Sequence, residues 1–542
     1  MRASARLSAR PLSDLDLSIY RQVLPEKSFL LDALRLVDWK SFEDELQRYY
    51  SSNPAGQPEY PPLILLKMEF LRHYYGLSQA KCVERCRCDL LFKFFLQLPV
   101  AAGIVDQSVL TIFRKRLGPE GFLSIFDRLV SQARGHGVIK DRLRLKDATH
   151  IVGDVAIPSA LGLFAQLRDR MLRVVECFDP SAAATFREDM ATVRAESEGQ
   201  DNSLRLLQRV ALVEDILEWM KRAPEEPQET GKTAEDLRAA KRWAQLQSTI
   251  ALAEKILGDL DDPSAGDKVR SVVDSDLRRG KHGEFYDGYL FDALLDPDSE
   301  MFTAIDVLPA NGDEAANAIR LIEQEEQAHG NDIEQLSIDG IGFNGEVLHQ
   351  LEDPDNLAVE VFTPPKDFSS TKGFPASKFE MTEDGKLRCP AGHVSGRGSR
   401  KKDKPNNTFF RFPRAACSTC PLQPECYPTM SETPKSGRRV TTNRYEEDYE
   451  RARAKAKTEE YAEIRKRHPA IERKLNEIVR HHDGRRAKYR GLPKVKVQGL
   501  MTAFVVNVKR MVKLLSQKAL ESAQLSACRR KHECRSARFV LV

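Results

Sequence analysis

The stretch "LRLKDATHIVGDVA", Leu143 to Ala156, decides how this chain is read. Apolar and β-branched residues make a strand-like run, and Asp147 puts a carboxylate where a buried strand ordinarily excludes charge. Downstream, residues 157–270 read as helices, from "ALGLFAQLRDRMLRVVECF" through "NSLRLLQRVALVEDILEWMKRA" to "AEDLRAAKRWAQLQSTIALAEKILGDL", with a Pro/Glu/Gly/Thr-rich break at 224–233. Alternation then returns in "KVRSVVDSD", "EFYDGYLFDALLD" and "EMFTAIDVLPA", each of which suits a strand. A helix follows, capped at Asp313 with "EAANAIRLIEQEEQA" as its body, and then "IEQLSIDGIGF", a strand ending at Asp339 and Gly340. With the helical segment set aside as an insertion, the order is β-β-β-α-β: a mixed α/β sheet flanked by helices, whose first and fourth strands both end in an aspartate. Ligands of open α/β sheets gather at strand ends, so Asp147 and Asp339 are expected to meet despite their separation in sequence.

A third acid is expected from a helical stretch at 443–483. In "RHPAIERKLNEIVRHH", Pro469 suits a first helical turn, and Ile471, Leu475, Ile478, Val479 and His482 recur at helical spacing, with Glu472 at the edge of that stripe. Three converged carboxylates repel one another and need protons or cations. Hard oxygen ligands suit Mg²⁺, and two such ions about 4 Å apart serve phosphoryl transfer. Taken singly, each acid also has an ordinary reading: a cap or turn for Asp147, a tight turn before Gly340 for Asp339, a surface ion pair for Glu472.

The 542 residues, 41% hydrophobic and 30% charged, describe a globular chain of more than one unit, without an apolar run near the roughly 20 residues of a membrane span. "MRASARLSARPLSDLDL" has no apolar core behind its basic residues, so no secretory signal and a cytoplasmic location are expected. Residues 14–140 read as a helical head. Asp106 or Ser108 caps the helix that carries Arg114, Lys115 and Arg116, which fits either a helix-turn-helix reader or an ordinary bundle with a basic face. The net charge of +4 hides a basic concentration between Lys466 and Lys513, which fits a solvated face or a nucleic-acid contact. Of ten cysteines, Cys389, Cys417, Cys420 and Cys426 are spaced C-x27-C-x2-C-x5-C, which suits a structural tetrahedral Zn²⁺ site, with His393 as a substitute ligand and four reduced thiols as the plain reading. "CVERCRC" at 82–88 lies on an amphipathic helix and reads as free thiols.

"KDATHI", "SDLRRGKHGEFYDGYLFDALLDPDSEMFTAIDVLPANGDEA", "LSIDGIGFNG" and "IERKLNEIVRHHDGRRAKYRGLPKVKVQ", in this order, resemble the DDE transposases of bacterial insertion sequences. The head, with "PPLILLKMEFLRHYYGLS" and "DQSVLTIFRKRLG", resembles the family's N-terminal domain, so the likeness runs to about residue 515. The resemblance implies a ribonuclease H-like fold with a long helical insertion, a small zinc-knuckle-like insertion and an all-helical N-terminal domain. It implies Asp147, Asp339 and Glu472 as the catalytic triad holding two Mg²⁺ or Mn²⁺ ions, and a dimer acting on transposon ends and target DNA in the bacterial nucleoid. Arg473, Lys474, Arg480, Arg485, Arg486, Lys488 and Arg490 are the expected phosphate contacts. The family's helix often carries an Arg four residues before the Glu and a Lys seven after it; here those places hold His468 and Val479, with Arg467 and Arg480 one position away as substitutes. Asp274, Asp276 and Asp292 are fallback acids. The expected domains are a DNA-binding head at 1–140, a catalytic domain from 141–156, 270–345 and 440–515, a helical insertion at 157–269, a cysteine-cluster insertion at 346–439 and a tail at 516–542. A metal-dependent nuclease on the same fold and an inactive, domesticated DNA-binding protein are the rival readings.

Overall fold

The computed structural model describes residues 11–50, 60–222, 225, 234–262, 264–366, 373–402, 404–428 and 437–538, with the backbone alone beyond Ser522. The expected break at 224–233 therefore lies outside the described residues apart from Glu225, as do the first ten residues and the last four of the expected tail.

Among its described residues the head holds α1 (Asp14–Val23), α2 (Phe29–Leu36), α3 (Glu43–Gln47), α4 (Pro62–Tyr74), α5 (Gln79–Cys88), α6 (Leu90–Phe95) and α7 (Gln107–Gly135). Their starts follow local chemistry. Ser13 and Asp16 form a capping box, and Ser78, Asp89 and Asp106 each accept a first-turn amide. Gly118, at φ +60°, and Pro119 break α7, so the expected continuous helix is two helices across a kink. α4 is buried on nearly every side, by Leu65, Leu66, Met68, Phe70 and Leu71 among others.

The main sheet is mixed and six-stranded: β1 (Leu143–Val152), β2 (Arg278–His282), β3 (Glu284–Asp296), β4 (Met301–Pro309), β5 (Gln335–Ile338) and β6 (Glu360–Phe362). β1 is central. It pairs antiparallel with β3 and parallel with β5, β6 extends the parallel side, and β4 and β2 pair with β3. Covered on both faces, β1 buries even its basic residues. Arg144 is held by Glu325 at 2.6 Å and Lys146 by Asp292 at 3.0 Å. Two expectations need correction here. "KVRSVVDSD" is not a strand, because Val269 and Val272 pack into the helical insertion's core and pairing begins only at Arg278. Asp147 does not end β1 but stands in its middle, because pairing with β3 continues to Val152.

The insertion forms α8 (Ala160–Glu176), α9 (Pro180–Glu196), α10 (Asn202–Arg222) and α11 (Ala234–Asp261) around a core of its own, centred on Met171, Val175, Val213, Ile216 and Leu246. After β4 come α12 (Glu314–His329) and α13 (Gly345–Glu352), which cover one sheet face through Ala318, Leu321, Ile322 and Leu348. The cysteine-bearing module carries β7 (Glu380–Met381), β8 (Leu387–Arg388), β9 (Ser399–Lys401), β10 (Lys404–Arg411), α14 (Arg414–Ser418), α15 (Gln423–Cys426) and β11 (Arg439–Asn443) around Phe379, Leu387, Phe410, Phe412 and Val440.

The expected helical stretch 443–483 is three helices, α16 (Glu446–Lys455), α17 (Glu459–Arg467) and α18 (Pro469–His481), because Pro469 restarts the helix at His468. α19 (Leu492–Arg538) follows and runs through most of the segment expected to be a separate tail. Its Phe504 meets Trp39, Phe42 and Phe70 of the head at ring-centroid distances of 5.7 to 6.3 Å, while Asn507 hydrogen-bonds both backbone groups of Phe302 on β4. Head, sheet and α19 thereby share one hydrophobic core.

Candidate active site

β1 and β5 run parallel with Lys146 paired to Ile338, so Asp147 and Asp339 are each one residue past the last paired position of these neighbouring strands. Alternation along β1 puts Asp147 on the face of Leu145, where α18 packs, and α18 carries Glu472 in its first turn. Asp147 feels the other two acids. Burial pushes the Asp147 carboxyl up to about 7; the Ala148 amide, donating at 2.8 Å, opposes this, and the negative charges of Asp339 and Glu472 add to it. Asp339 caps a short turn by accepting the Ile341 amide at 3.0 Å, and Thr363 donates to its carbonyl at 2.8 Å. Asp147 is partly buried, whereas Asp339 and Glu472 are exposed. Among the described residues, no three His, Cys, Asp or Glu side chains stand in ligating positions around one point, so the acids are coupled without being closed on an ion. As a donor set they fit a hard divalent cation: all oxygen, with one oxygen each of Asp147 and Asp339 engaged by a backbone amide.

Two groups at this cluster escaped the sequence reading. Arg465 donates to the Ile338 carbonyl at 2.8 Å and to Ser337 Oγ at 3.1 Å; burial lowers its pKa, and the charges of Tyr461, Asp339, Glu472 and Asp147 oppose that shift. It lies seven residues before Glu472, two turns back, a spacing that offered a signal. Glu314, at the start of α12, is a further acid. Burial raises its carboxyl; Lys146 opposes this, and Asp292 and Asp339 add to it. His468 contacts Ser337 Oγ at 3.1 Å and is held near pKa 4, first by burial and then by the Arg465 charge, so it is neutral and brings no cation to the place four residues before Glu472. Arg467 turns away to pair with Asp298. The fallback acids have structural partners: Asp274 accepts from Tyr289 at 2.5 Å and Asp276 from the Leu492 amide at 2.8 Å, while Asp292 binds Lys146 and Asn317.

The expected phosphate contacts divide. Arg473 and Arg480 line an open groove of about 530 Å³ with Asn476, Glu477 and His481, although Arg473 also pairs with Glu300 at 2.9 Å. Arg486 and Arg490 are exposed, Arg490 donating to the Asp154 carbonyl at 3.3 Å. Arg485 donates to the His150 carbonyl at 2.9 Å, and Lys488 pairs with Asp483 at 3.7 Å. Lys474, by contrast, is buried against Glu477 at 2.9 Å and is an internal ion-pair partner. In the head, Arg114 bonds to buried Glu69 and so faces inward, Arg116 lies over Tyr50 at 4.4 Å, and Lys115 is exposed. Arg72 reaches from α4 to the Tyr489 hydroxyl at 2.7 Å, which ties the head to the segment after α18.

Cys389, Cys417, Cys420 and Cys426 are free thiols lining one small cavity of about 30 Å³ with His393, Phe379, Phe412 and Arg438. Burial raises the Cys426 thiol; Arg438 opposes this, and the other three sulfurs add to it. Cys417 Sγ accepts the Arg438 amide at 3.3 Å. In the head, Cys82 and Cys86 are buried and free, as expected, while Cys88 is exposed.

Residues 388–512, from the cysteine module through Arg465 and Glu472 into α19, match the family described as Transposase DDE domain, and residues 18–116 match the Transposase domain (DUF772). These matches support an insertion-sequence DDE transposase. Asp147 and Asp339 lie outside both matched segments. The chain is also 23% identical over 120 residues, 22% of its length, to "Uncharacterized protein ORF8 in nfe locus" of Rhizobium meliloti, and spans 57% of that protein. No solved structure matches. Among the described residues, no helix is long and apolar enough to cross a membrane.

Proposed function

We propose that the chain binds the terminal inverted repeats of an insertion sequence and carries out divalent-metal-dependent strand cleavage and strand transfer, with Asp147, Asp339 and Glu472 as its catalytic acids. The observation that carries this reading is the placement of the three: Asp147 within β1, Asp339 one residue past the parallel-paired end of β5, and Glu472 in the first turn of α18, which packs against β1. A mixed sheet with acids abreast on neighbouring parallel strands supports a ribonuclease H-like catalytic domain built from 141–156, 270–345 and 440–515, with the head at 1–140, insertions at 157–269 and 346–439, and the tail from 516 as the remaining units. Asp147, Asp339 and Glu472 would hold two divalent ions, Mg²⁺ or Mn²⁺, which when bound would supply activation of an attacking oxygen and stabilisation of the leaving one.

The chain's own residues supply the rest. Arg465 tethers the end of β5 and sets one positive charge beside the acids. Arg473, Arg480, Arg485, Arg486, Lys488 and Arg490 neutralise phosphates, and the head reads the repeat. Hydrolysis of the element's end leaves a 3′-hydroxyl. That oxygen then attacks a target phosphate, one phosphodiester bond breaking for each one formed. The pairing of two ends by a homodimer follows from the same reading, as does work at the nucleoid. The four thiols line one cavity and are the donor type a structural Zn²⁺ takes, although among the described residues no three of them stand in ligating positions around one point; elemental analysis of the purified protein that finds no zinc would remove that assignment.

The test is incubation of the protein with Mg²⁺ and a supercoiled plasmid carrying the element's ends. Cleavage together with joined products is expected. Cleavage without joining would leave a nuclease, and binding without nicking would leave an inactive DNA-binding protein.

A further inference from the structure

The three-stranded sheet β9–β10–β11 of the cysteine module has two unlike faces. One packs Phe410 and Val440, paired across the strands, onto the module's core. The other is open. Alternation puts Lys401, Phe409, Arg411 and Arg439 on it, and these residues find one another there: Lys401 Nζ lies 5.6 Å and the Arg439 guanidinium 5.9 Å from the Phe409 ring centroid. Arg411 and Arg439 are direct cross-strand partners. Like charges placed opposite each other in an antiparallel pair destabilise it. Among the described residues, no carboxylate lies within ion-pair distance of Lys401, Arg411 or Arg439, although the protein pairs many of its other surface cations. The other described residues of the face include neutral, polar ones: Ser399, Thr441, and Asn407 bonded to Asn443 at 2.8 Å. A face that sets cations against one another without a counter-charge among the described residues is suited to an anionic partner that arrives from outside.

We propose that this sheet face is a second DNA-contact surface, in which Arg411, Arg439 and Lys401 clamp the phosphate backbone of duplex DNA. It is separate in sequence from the basic segment 473–490, and it rests on the reading of the chain as a DNA-acting transposase. A β-ribbon with paired arginines is a proportionate reader of a duplex. Phosphate contacts of this kind position the DNA without specifying its sequence. The module joins the two halves of the candidate site in the chain, between Asp339 and Glu472, so a backbone contact here bears on where the duplex lies relative to the acids.

The experiment is fluorescence anisotropy of the full-length protein on a labelled duplex across a salt series. Arg411→Gln with Arg439→Gln is expected to weaken binding equally on end-bearing and unrelated duplexes, and to reduce the slope of log affinity against log salt by about 2. Arg411→Lys with Arg439→Lys is expected to retain the slope, and unchanged circular dichroism melting of both variants separates the effect from misfolding. Lys241→Gln with Arg242→Gln, exposed on α11, is the control for the general field of the protein. An unchanged slope in the Gln pair, or an equal change in the α11 control, overturns the proposal. So does a loss confined to vesicles containing anionic lipid or to single-stranded RNA, which would assign the face to those partners. A wild type that fails to bind any duplex overturns the transposase reading as well, whereas a wild type that binds with a slope indifferent to Arg411 and Arg439 overturns only this inference.

Discussion

Asp147 and Asp339 were legible in the sequence for a physical reason: each is a charge embedded in an otherwise apolar, β-branched run, and such a charge needs a partner or a purpose. Arg465 was not legible, because nothing in a linear pattern says that a cation two turns before Glu472 bends back onto the Ser337–Ile338 backbone, whereas the nearer Arg467 turns to Asp298. Glu314 was masked by its neighbour Asp313, whose capping role accounts for the local acidity. The buried basic residues Arg144 and Lys146 carried the same signal as Asp147, but their answers, Glu325 and Asp292, lie far along the chain. On the proposed mechanism, Arg465 is a positioning residue that acts through the backbone it tethers and through its charge. Arg465→Gln is expected to lower plasmid cleavage by roughly 10–100-fold, while Arg465→Lys recovers part of it and shifts the Mg²⁺ concentration needed for half-maximal activity. Equal cleavage and an unchanged Mg²⁺ dependence in Arg465→Gln would place this side chain outside the mechanism.

Helices and strands were read most safely where periodicity was long, as in β3, β4, α8 and α12, and least safely where apolar alternation served another purpose. Val269 and Val272 belong to a β-branched run that reads as a strand, yet they close the end of the helical bundle. Asp106 as the cap of α7 was readable, but the Gly118–Pro119 kink lay in plain sight within "RLGPEG" and divides the helix. α18 is positioned by more than its apolar stripe. Glu477 accepts from Lys509 of α19 at 2.5 Å and from Lys474 at 2.9 Å. Burial pushes the Glu477 carboxyl up, but these two ammonium groups hold it down to about 2. A depressed carboxyl stabilises the fold above its unfolded pKa of about 4.3, and the contribution is lost as pH falls toward 2. Glu477→Gln is therefore expected to cost on the order of 2 kcal/mol at pH 7, with the gap to wild type narrowing at pH 3. Urea unfolding at the two pH values measures this; a gap that is constant with pH would show that the charge of Glu477 does not clamp α18.

The molecule as a whole is tied together by α19, whose Phe504 inserts among Trp39, Phe42 and Phe70 while Asn507 grips β4. This long-range core was invisible in the sequence, where the helix reads as one more apolar segment and the head as a free-standing unit. Phe504→Ala is expected to cost about 3–5 kcal/mol and to loosen head and sheet in one cooperative transition, which thermal unfolding followed by proteolysis detects. Loss of the head alone, with the sheet's transition unmoved, would contradict the shared core. Beneath these contacts lies a single proposition, that carboxylates from β1, β5 and α18 act as one hard-cation site. Titration of the full-length protein with Mn²⁺, with the free ion followed by electron paramagnetic resonance, puts it to the test. Saturable binding is expected in the wild type and its loss in each of Asp147→Asn, Asp339→Asn and Glu472→Gln, with folding intact; any one of the three variants binding Mn²⁺ with the wild-type number and affinity of sites would contradict it.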